Sequence, residues 1–177
     1  MKQPKEIFES LKEKFTEYNF EIIEDLPVEP IISVDPLNVN KIGFYLRLDA
    51  DLQFDSLMVL SGVDDNNAKK IKQEDETEID DPGTLSVYYH LYSTTLKHKV
   101  TLKASAPKDN PEIESVEKVW KTADWHEREA YDMIGIKFLN HPDLRRILMP
   151  YDWDENSFPL RKDYENPEFY QGIKVPY

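Results

Sequence analysis

The chain has 177 residues, no cysteine, 35 acidic against 22 basic residues and a formal net charge of -13. Its length suits one domain with room for an appended arm, and a chain of this size buries enough surface to fold without a staple. Lack of cysteine excludes thiolate-bound iron–sulfur clusters, thiol catalysis and disulfides, and fits a reducing compartment; the acidic balance disfavours nucleic acid and anionic lipid as partners.

The opening segment MKQPKEIFESLKEKF has no apolar stretch of the signal-peptide kind, and no run reaches the roughly 18 apolar residues of a spanning helix. It is expected to be an amphipathic helix, with Ile7, Phe8, Leu11, Phe15 and Tyr18 at three- and four-residue spacing. Short strands are expected at residues 20–23 and 31–34. Asp35-Pro36 is a helix-start signal, and Ile42, Tyr45 and Leu46 continue that helix through Gly43. Residues 54–60 turn into a buried strand, and residues 64–81 are polar enough to expect a loop. Residues 85–92 and 97–103 are dense in β-branched and aromatic residues, and the link Ser93-Thr94-Thr95 makes them a hairpin at the sheet centre. A loop at 106–111 and a helix capped by Ser115 follow. Without GxGxxG or a regular βαβ repeat, the fold class is α+β, a mainly antiparallel sheet packed with helices.

After residue 139 the character changes. Prolines at 142, 150, 159, 167 and 176 forbid a long helix. Tyr151, Trp153, Phe158, Tyr164, Phe169, Tyr170 and Tyr177 arrive without a period. The expected organisation is an α+β domain over 1–139 and an extended, aromatic-rich docking arm over 140–177. Such a segment needs a surface to lie on, and aromatics and arginine are favoured interface anchors.

The densest constellation is Trp125-His126-Glu127-Arg128-Glu129-Ala130-Tyr131-Asp132, a helix that Asp124 would cap and Gly135 would end. Half of a zinc HExxH motif is present, but the second histidine would fall on Ala130, so the zinc reading fails. The carboxylates Glu127, Glu129 and Asp132 also admit an acid–base hydrolase, without a convergent histidine or nucleophile to support it. Charges hemmed in by Trp125, Tyr131, Met133, Ile134 and Ile136 favour buried or interfacial ion pairs. His90 and His98 flank the hairpin. In His141-Pro142-Asp143-Leu144-Arg145-Arg146, the paired arginines suit bidentate contact with carboxylates or the capping of carbonyls.

The run from Trp125 to Phe138, then His141-Pro142-Asp143-Leu144-Arg145-Arg146-Ile147-Leu148 and Pro159-Leu160-Arg161-Lys162-Asp163-Tyr164, carries a family likeness. It resembles the C-type, 30-kilodalton subunit family of the proton-pumping NADH:quinone oxidoreductase, respiratory complex I. Residues 54–64 and 87–91 resemble that family's N-terminal strands. One departure stands out: Asn156-Ser157-Phe158 replaces the glycine–histidine pair usual before the last motif.

The resemblance implies a non-catalytic subunit of the hydrophilic arm, without catalytic, cofactor-binding or metal-binding residues. It would dock mainly on the D-type subunit of the quinone site and also on the B- and I-type subunits. Flavin, iron–sulfur clusters and quinone would belong to partner subunits of the complex. The chain would sit peripherally on the cytoplasmic face of the bacterial plasma membrane, touching the bilayer only through the complex. Its docking residues would be Trp125, Glu127, Arg128, Glu129, Asp132, His141, Arg145, Arg146, Arg161, Lys162 and Tyr164. Relatives in membrane-bound hydrogenases or in enzymes with other electron donors share the signature and remain the alternative.

Overall fold

A computed structural model describes residues 1–24, 29–72 and 78–175. Helix α1 (Pro4–Lys14) opens with proline in its first turn and a reciprocal cap, in which the Gln3 N–H donates to Glu6 Oε2 at 2.7 Å. It buries Ile7 and Leu11. The helix stops short of Phe15 and Tyr18, whose rings instead stack on each other at 5.5 Å. Strands β1 (Glu21–Ile23) and β2 (Ile31–Val34) follow. Helix α2 (Val39–Leu48) starts later than Asp35-Pro36 suggests. The Asp35 carboxylate accepts the Leu37 N–H at 2.7 Å and holds a turn there, so the cap moves to Asn38. Gly43 is where the Trp120 ring meets this helix; a Cβ would lie 3.0 Å from that ring.

Strand β3 (Ser56–Asp64) is followed by β4 (Lys69–Lys72) and β5 (Glu78–Asp81), which pair with each other. The expected loop over 64–81 therefore contains a small antiparallel ribbon, and residues 73–77 of it lie outside the described residues. Its register sets Lys69 and Lys70 against Asp81 and Asp80, a cross-strand charge pattern that a reading for apolar alternation overlooks. Strands β6 (Thr84–Tyr92) and β7 (Lys99–Pro107) form the expected hairpin with a longer link, in which the Lys97 N–H donates to Ser93 O and Lys97 takes φ +58°. Strand β7 absorbs the start of the loop expected at residue 106.

Strand β8 (Glu112–Glu114), helix α3 (Ala123–Ile134) and β9 (Lys137–Leu139) make a parallel unit that holds α3 at both ends. The helix expected from Ser115 is a run of turns instead. The Ser115 hydroxyl accepts the Glu117 N–H at 3.1 Å, and the Val116 N–H donates to the Glu127 carboxylate at 2.8 Å, so early main-chain donors are already satisfied. Two short strands, β10 (Phe169–Tyr170) and β11 (Ile173–Lys174), pair across Gln171-Gly172, both at positive φ as a tight hairpin requires.

The main sheet runs β1-β2-β7-β6-β3, antiparallel except for the parallel β2–β7 pair. The chain is thus α+β, with β7 central and β6 between it and the outermost strand β3. Alternation decides the faces: Leu85, Val87, Tyr89 and Leu91 of β6 join Val100, Leu102, Ala104 and Ala106 of β7 in the core, where the helices cover them. The descending chain after Asn140, expected as an arm, has no regular structure until β10 and lies back on the C-terminal end of α3.

Candidate docking interface

Helix α3 carries most of the singled-out charges, and the structure divides them sharply. Asp132 is fully buried. Its Oδ2 accepts the N–H groups of Ile147, Leu148 and Met149 at 2.9, 2.7 and 3.0 Å, and Arg146 Nη1 donates to its Oδ1 at 3.0 Å. Burial alone would push this carboxyl up, but the three main-chain donors and the guanidinium outweigh it and hold the carboxyl below its usual range. Arg146 also donates to Asp154 O at 3.2 Å and Glu155 O at 2.9 Å. One helix carboxylate thereby gathers the chain from 146 to 155 into a strap.

A second fastening follows. The Leu160 N–H donates to Met133 O at 3.0 Å, and Arg161 Nε donates to Ile134 O at 2.6 Å, so the strap supplies donors for orphan carbonyls at the end of α3. Phe158 lies between the guanidiniums of Arg161 and Arg146, 4.3 and 5.5 Å from its ring centre. Gly135 takes φ +84° beneath this stack, and a Cβ there would come within 2.7 Å of both Arg161 and Phe158. Farther along, the Lys162 N–H donates to Asp64 Oδ2 at 3.1 Å, an oxygen that also pairs with Lys108 at 2.9 Å. Burial pushes Asp64 up, yet Lys108 and the Lys162 N–H bring it below its ordinary value.

The start of the strap is fixed by a third group. Arg128, buried, donates to Asp124 Oδ2 at 2.8 Å and reaches Asp143 at 3.6 Å, with its guanidinium 4.1 Å over the Trp125 ring. The His141 ring is wholly enclosed; its Nδ1 accepts the Asp143 N–H at 3.1 Å, and its Nε2 lies 3.2 Å from Asp124 O and 3.8 Å from Glu127. Glu127 is buried with Ser115 Oγ 2.6 Å from its Oε2. Burial pushes its carboxyl up to about 8, against the hydrogen bonds from Ser115 and Val116. The Tyr89 hydroxyl, also buried, has no partner among the described residues, and burial followed by the nearby Glu127 raises it well above its usual value.

Several expected docking residues are therefore occupied inside the chain. Asp132, Arg146 and Arg161 hold the strap to α3, Arg128 and His141 fix its start, and Glu127 is bonded instead to Ser115 and Val116 ahead of the helix. Lys162 contributes its main chain to the same fastening, and Tyr164 is half-buried against Trp153, ring centres 6.5 Å apart. Of the expected set, Trp125, Glu129, Arg145 and the side chain of Lys162 face outward; among the described residues Arg145 meets only the exposed Asp143 at 3.0 Å. Of the three carboxylates weighed for acid–base chemistry, Glu127 and Asp132 are engaged in bonds within the chain and Glu129 alone is exposed. His90 and His98 go to separate partners, Thr101 and Leu52 O. Among the described residues no cluster has metal-ligand character.

What the strap presents outward was not singled out by charge. Leu148, Tyr151, Leu160, Phe169 and Ile173 are large apolar side chains more than half exposed; the first three stand on the pinned strap, and the hairpin that carries Phe169 and Ile173 is tied to it where Tyr170 Oη and Gln171 Nε2 donate to the Asp152 carboxylate at 3.1 and 3.0 Å. Asp64, Lys108 and Phe158 were missed as fasteners. Phe158 sits where the resemblance showed a departure from the family pattern, which was the one signal available; nothing in sequence joins Asp64 to Lys162. Pro176 and Tyr177 lie outside the described residues.

The family profile described as "Respiratory-chain NADH dehydrogenase, 30 Kd subunit" matches residues 32–170. The C-type subunit of an NADH-quinone oxidoreductase from Chloroherpeton thalassium is 44% identical over 94% of this chain, which spans 63% of that relative. A protein of the same description from Chlorobium phaeobacteroides is 40% identical over 100% of this chain and 98% of its own length. Among solved structures, a trypsin-resistant fragment of Nqo5 aligns with a TM-score of 0.56 at 21% identity, over 79% of this chain and 98% of that fragment. A chain of an archaeal membrane-bound sulfane sulfur reductase aligns with a TM-score of 0.61 at 20% identity, over 91% of this chain and 85% of its own. These two likenesses concern the fold.

Proposed function

The chain belongs to the 30 kDa subunit family of the respiratory-chain NADH dehydrogenase, and from that premise we propose that it is a non-catalytic hydrophilic-arm subunit of a proton-translocating NADH:quinone oxidoreductase. It stabilises the quinone-site module by docking on the D-type subunit, with the B- and I-type subunits as further neighbours, on the cytoplasmic face of the bacterial plasma membrane. Flavin, iron–sulfur clusters and quinone are held by other subunits of the complex, and the bilayer is reached only through them. No helix among the described residues is long and apolar enough to cross a membrane.

The observation that carries this reading is the pinned strap. Exposed Leu148, Tyr151 and Leu160 stand on a backbone fixed by Asp132, Arg146 and Arg161, and exposed Phe169 and Ile173 stand on the hairpin tied to it through Asp152. Ordering such a segment before binding lowers the entropy cost of association, and apolar and aromatic anchors supply its energy. Arg145 is a peripheral charge suited to orienting the encounter.

The test is reconstitution. Membranes from cells lacking this chain should lose NADH:quinone reductase activity and regain it when the chain is supplied, while the purified chain alone turns nothing over. Oxidoreductase or hydrolytic turnover by the isolated chain would overturn the reading.

A further inference from the structure

Strand β3 is the outermost strand of the main sheet. Its sequence, Ser-Leu-Met-Val-Leu-Ser-Gly-Val-Asp, has no lysine, arginine or proline, and its only charge is the last residue, Asp64. Edge strands of free-standing domains are usually blunted by charge, proline or covering chain. Here the single irregularity is a register shift between Leu57 and Val59. Beyond it, among the described residues, no main-chain hydrogen bond other than those to β6 engages residues 59–63. Met58 and Val59 are exposed.

This open edge has a floor. Helix α3 runs beside β3 in the same direction, Thr122 near Leu57 and Ala130 near Gly62. A Cβ on Gly62 would lie only 3.0 Å from that of Ala130, so the helix passes close beneath the edge. Val59, Leu60, Ser61 and Gly62 line one side of the resulting groove, and His126, Glu129 and Met133 line the other, with Leu160 of the strap at its end. Residues 126, 129 and 133 recur at helical spacing and share a face. Glu129 and Met133 are about 6 Å apart along the axis, close to the roughly 7 Å between alternate residues of a strand. The floor is apolar at Met133 and Leu160 and acidic at Glu129, an exposed carboxylate with no ion-pair partner among the described residues.

We propose that this groove receives an extended segment of a partner polypeptide as a sixth strand on β3, carrying a lysine or arginine over Glu129 and an apolar side chain over Met133 and Leu160. Main-chain bonds along the edge would give affinity, and the alternate side chains on the floor would give specificity. A second copy of this chain is the poorer occupant, since β3 offers no cation to Glu129 and each copy carries a net charge of -13. The inference rests on the subunit reading above and adds a surface on the side of α3 that faces β3.

Hydrogen–deuterium exchange at single-residue resolution tests it, comparing the chain alone with the chain in the oxidoreductase complex purified from co-expression. In the free chain the outward-facing amides of residues 59–63 should exchange fast. In the complex the same alternate amides should slow by at least about tenfold, and Glu129→Lys should reverse much of that slowing while Glu129→Gln reverses less. The groove proposal falls if strap residues 148–160 become protected while the outward amides of β3 exchange at their free rate; the subunit reading would then stand. Failure of both segments to gain protection would sink both. Protection that grows with concentration in the chain alone would assign the groove to a second copy and overturn the proposal.

Discussion

Replacing Asp132 by asparagine changes one atom and should unfasten the strap. The carboxylate is fully buried and accepts three main-chain N–H groups on Oδ2 and Arg146 on Oδ1. An amide presents its NH2 to one of those sets, so either three N–H groups or a guanidinium is left facing a donor. Hydrogen bonds to charged groups contribute about 1.5–3 kcal/mol each, and removing one partner of a buried pair costs about 3–5 kcal/mol. We expect Asp132→Asn to lose about 3–5 kcal/mol in urea unfolding, because the released donors stay partly shielded from water. For a chain this long that corresponds to a fall in Tm of about 6–20 °C. Acid titration should agree in sign: the carboxyl is held below its usual range, so its stabilisation is present above the unfolded value and is lost as pH falls through the folded one. The variant should lack that acid limb. Arg145→Ala is the control, since its pair with Asp143 is exposed and should cost less than about 1 kcal/mol. If Asp132→Asn costs no more than the control, the carboxylate is not the fastening described.

Glu127→Gln should act in the opposite pH direction. Burial raises this carboxyl from 4.5 to about 8, so across that window the folded chain keeps a proton that the unfolded chain releases, and stability falls as pH rises. The glutamine variant should flatten that decline between the two values, 4.5 and about 8; an unchanged slope in urea unfolding would refute the assignment. Gly135→Ala should cost about 1–2 kcal/mol for its left-handed backbone, and more for its clash with Phe158 and Arg161. Limited proteolysis should then cut residues 146–162 sooner than in the wild type. Phe158→Ala removes the ring between two guanidiniums and should accelerate the same cleavage with a smaller change in Tm.

The parts of this fold that were legible in sequence are those set by local periodicity. Ile7 and Leu11 mark α1, the alternating runs mark β6 and β7, and Gly135 ends α3 in the left-handed turn its position suggested. The misjudged parts depend on partners distant in sequence. Ser115 looks like a helix cap, but the Glu127 carboxylate takes the Val116 N–H that would have entered that helix. Asp35-Pro36 looks like a helix start, but the aspartate closes a turn on Leu37. The charges of α3 were recognised as hemmed in by apolar residues and hence as paired. Their partners turned out to be the chain's own strap, because Asp132 meets residues 146–149 only after the chain reverses beyond Asn140, at φ +60°. Sequence could not separate a charge that grips a partner from one that grips its own chain.

Co-purification with the D-type subunit addresses the central claim, that the strap is a pre-ordered docking surface, most directly. Leu148→Asp, Tyr151→Asp and Phe169→Asp together alter side chains that are more than half exposed, so the isolated chain should keep its Tm. Recovery of the complex should fall by at least about a hundredfold, as the loss of several interface anchors implies. Undiminished recovery of the triple variant, at wild-type stability, would contradict the account.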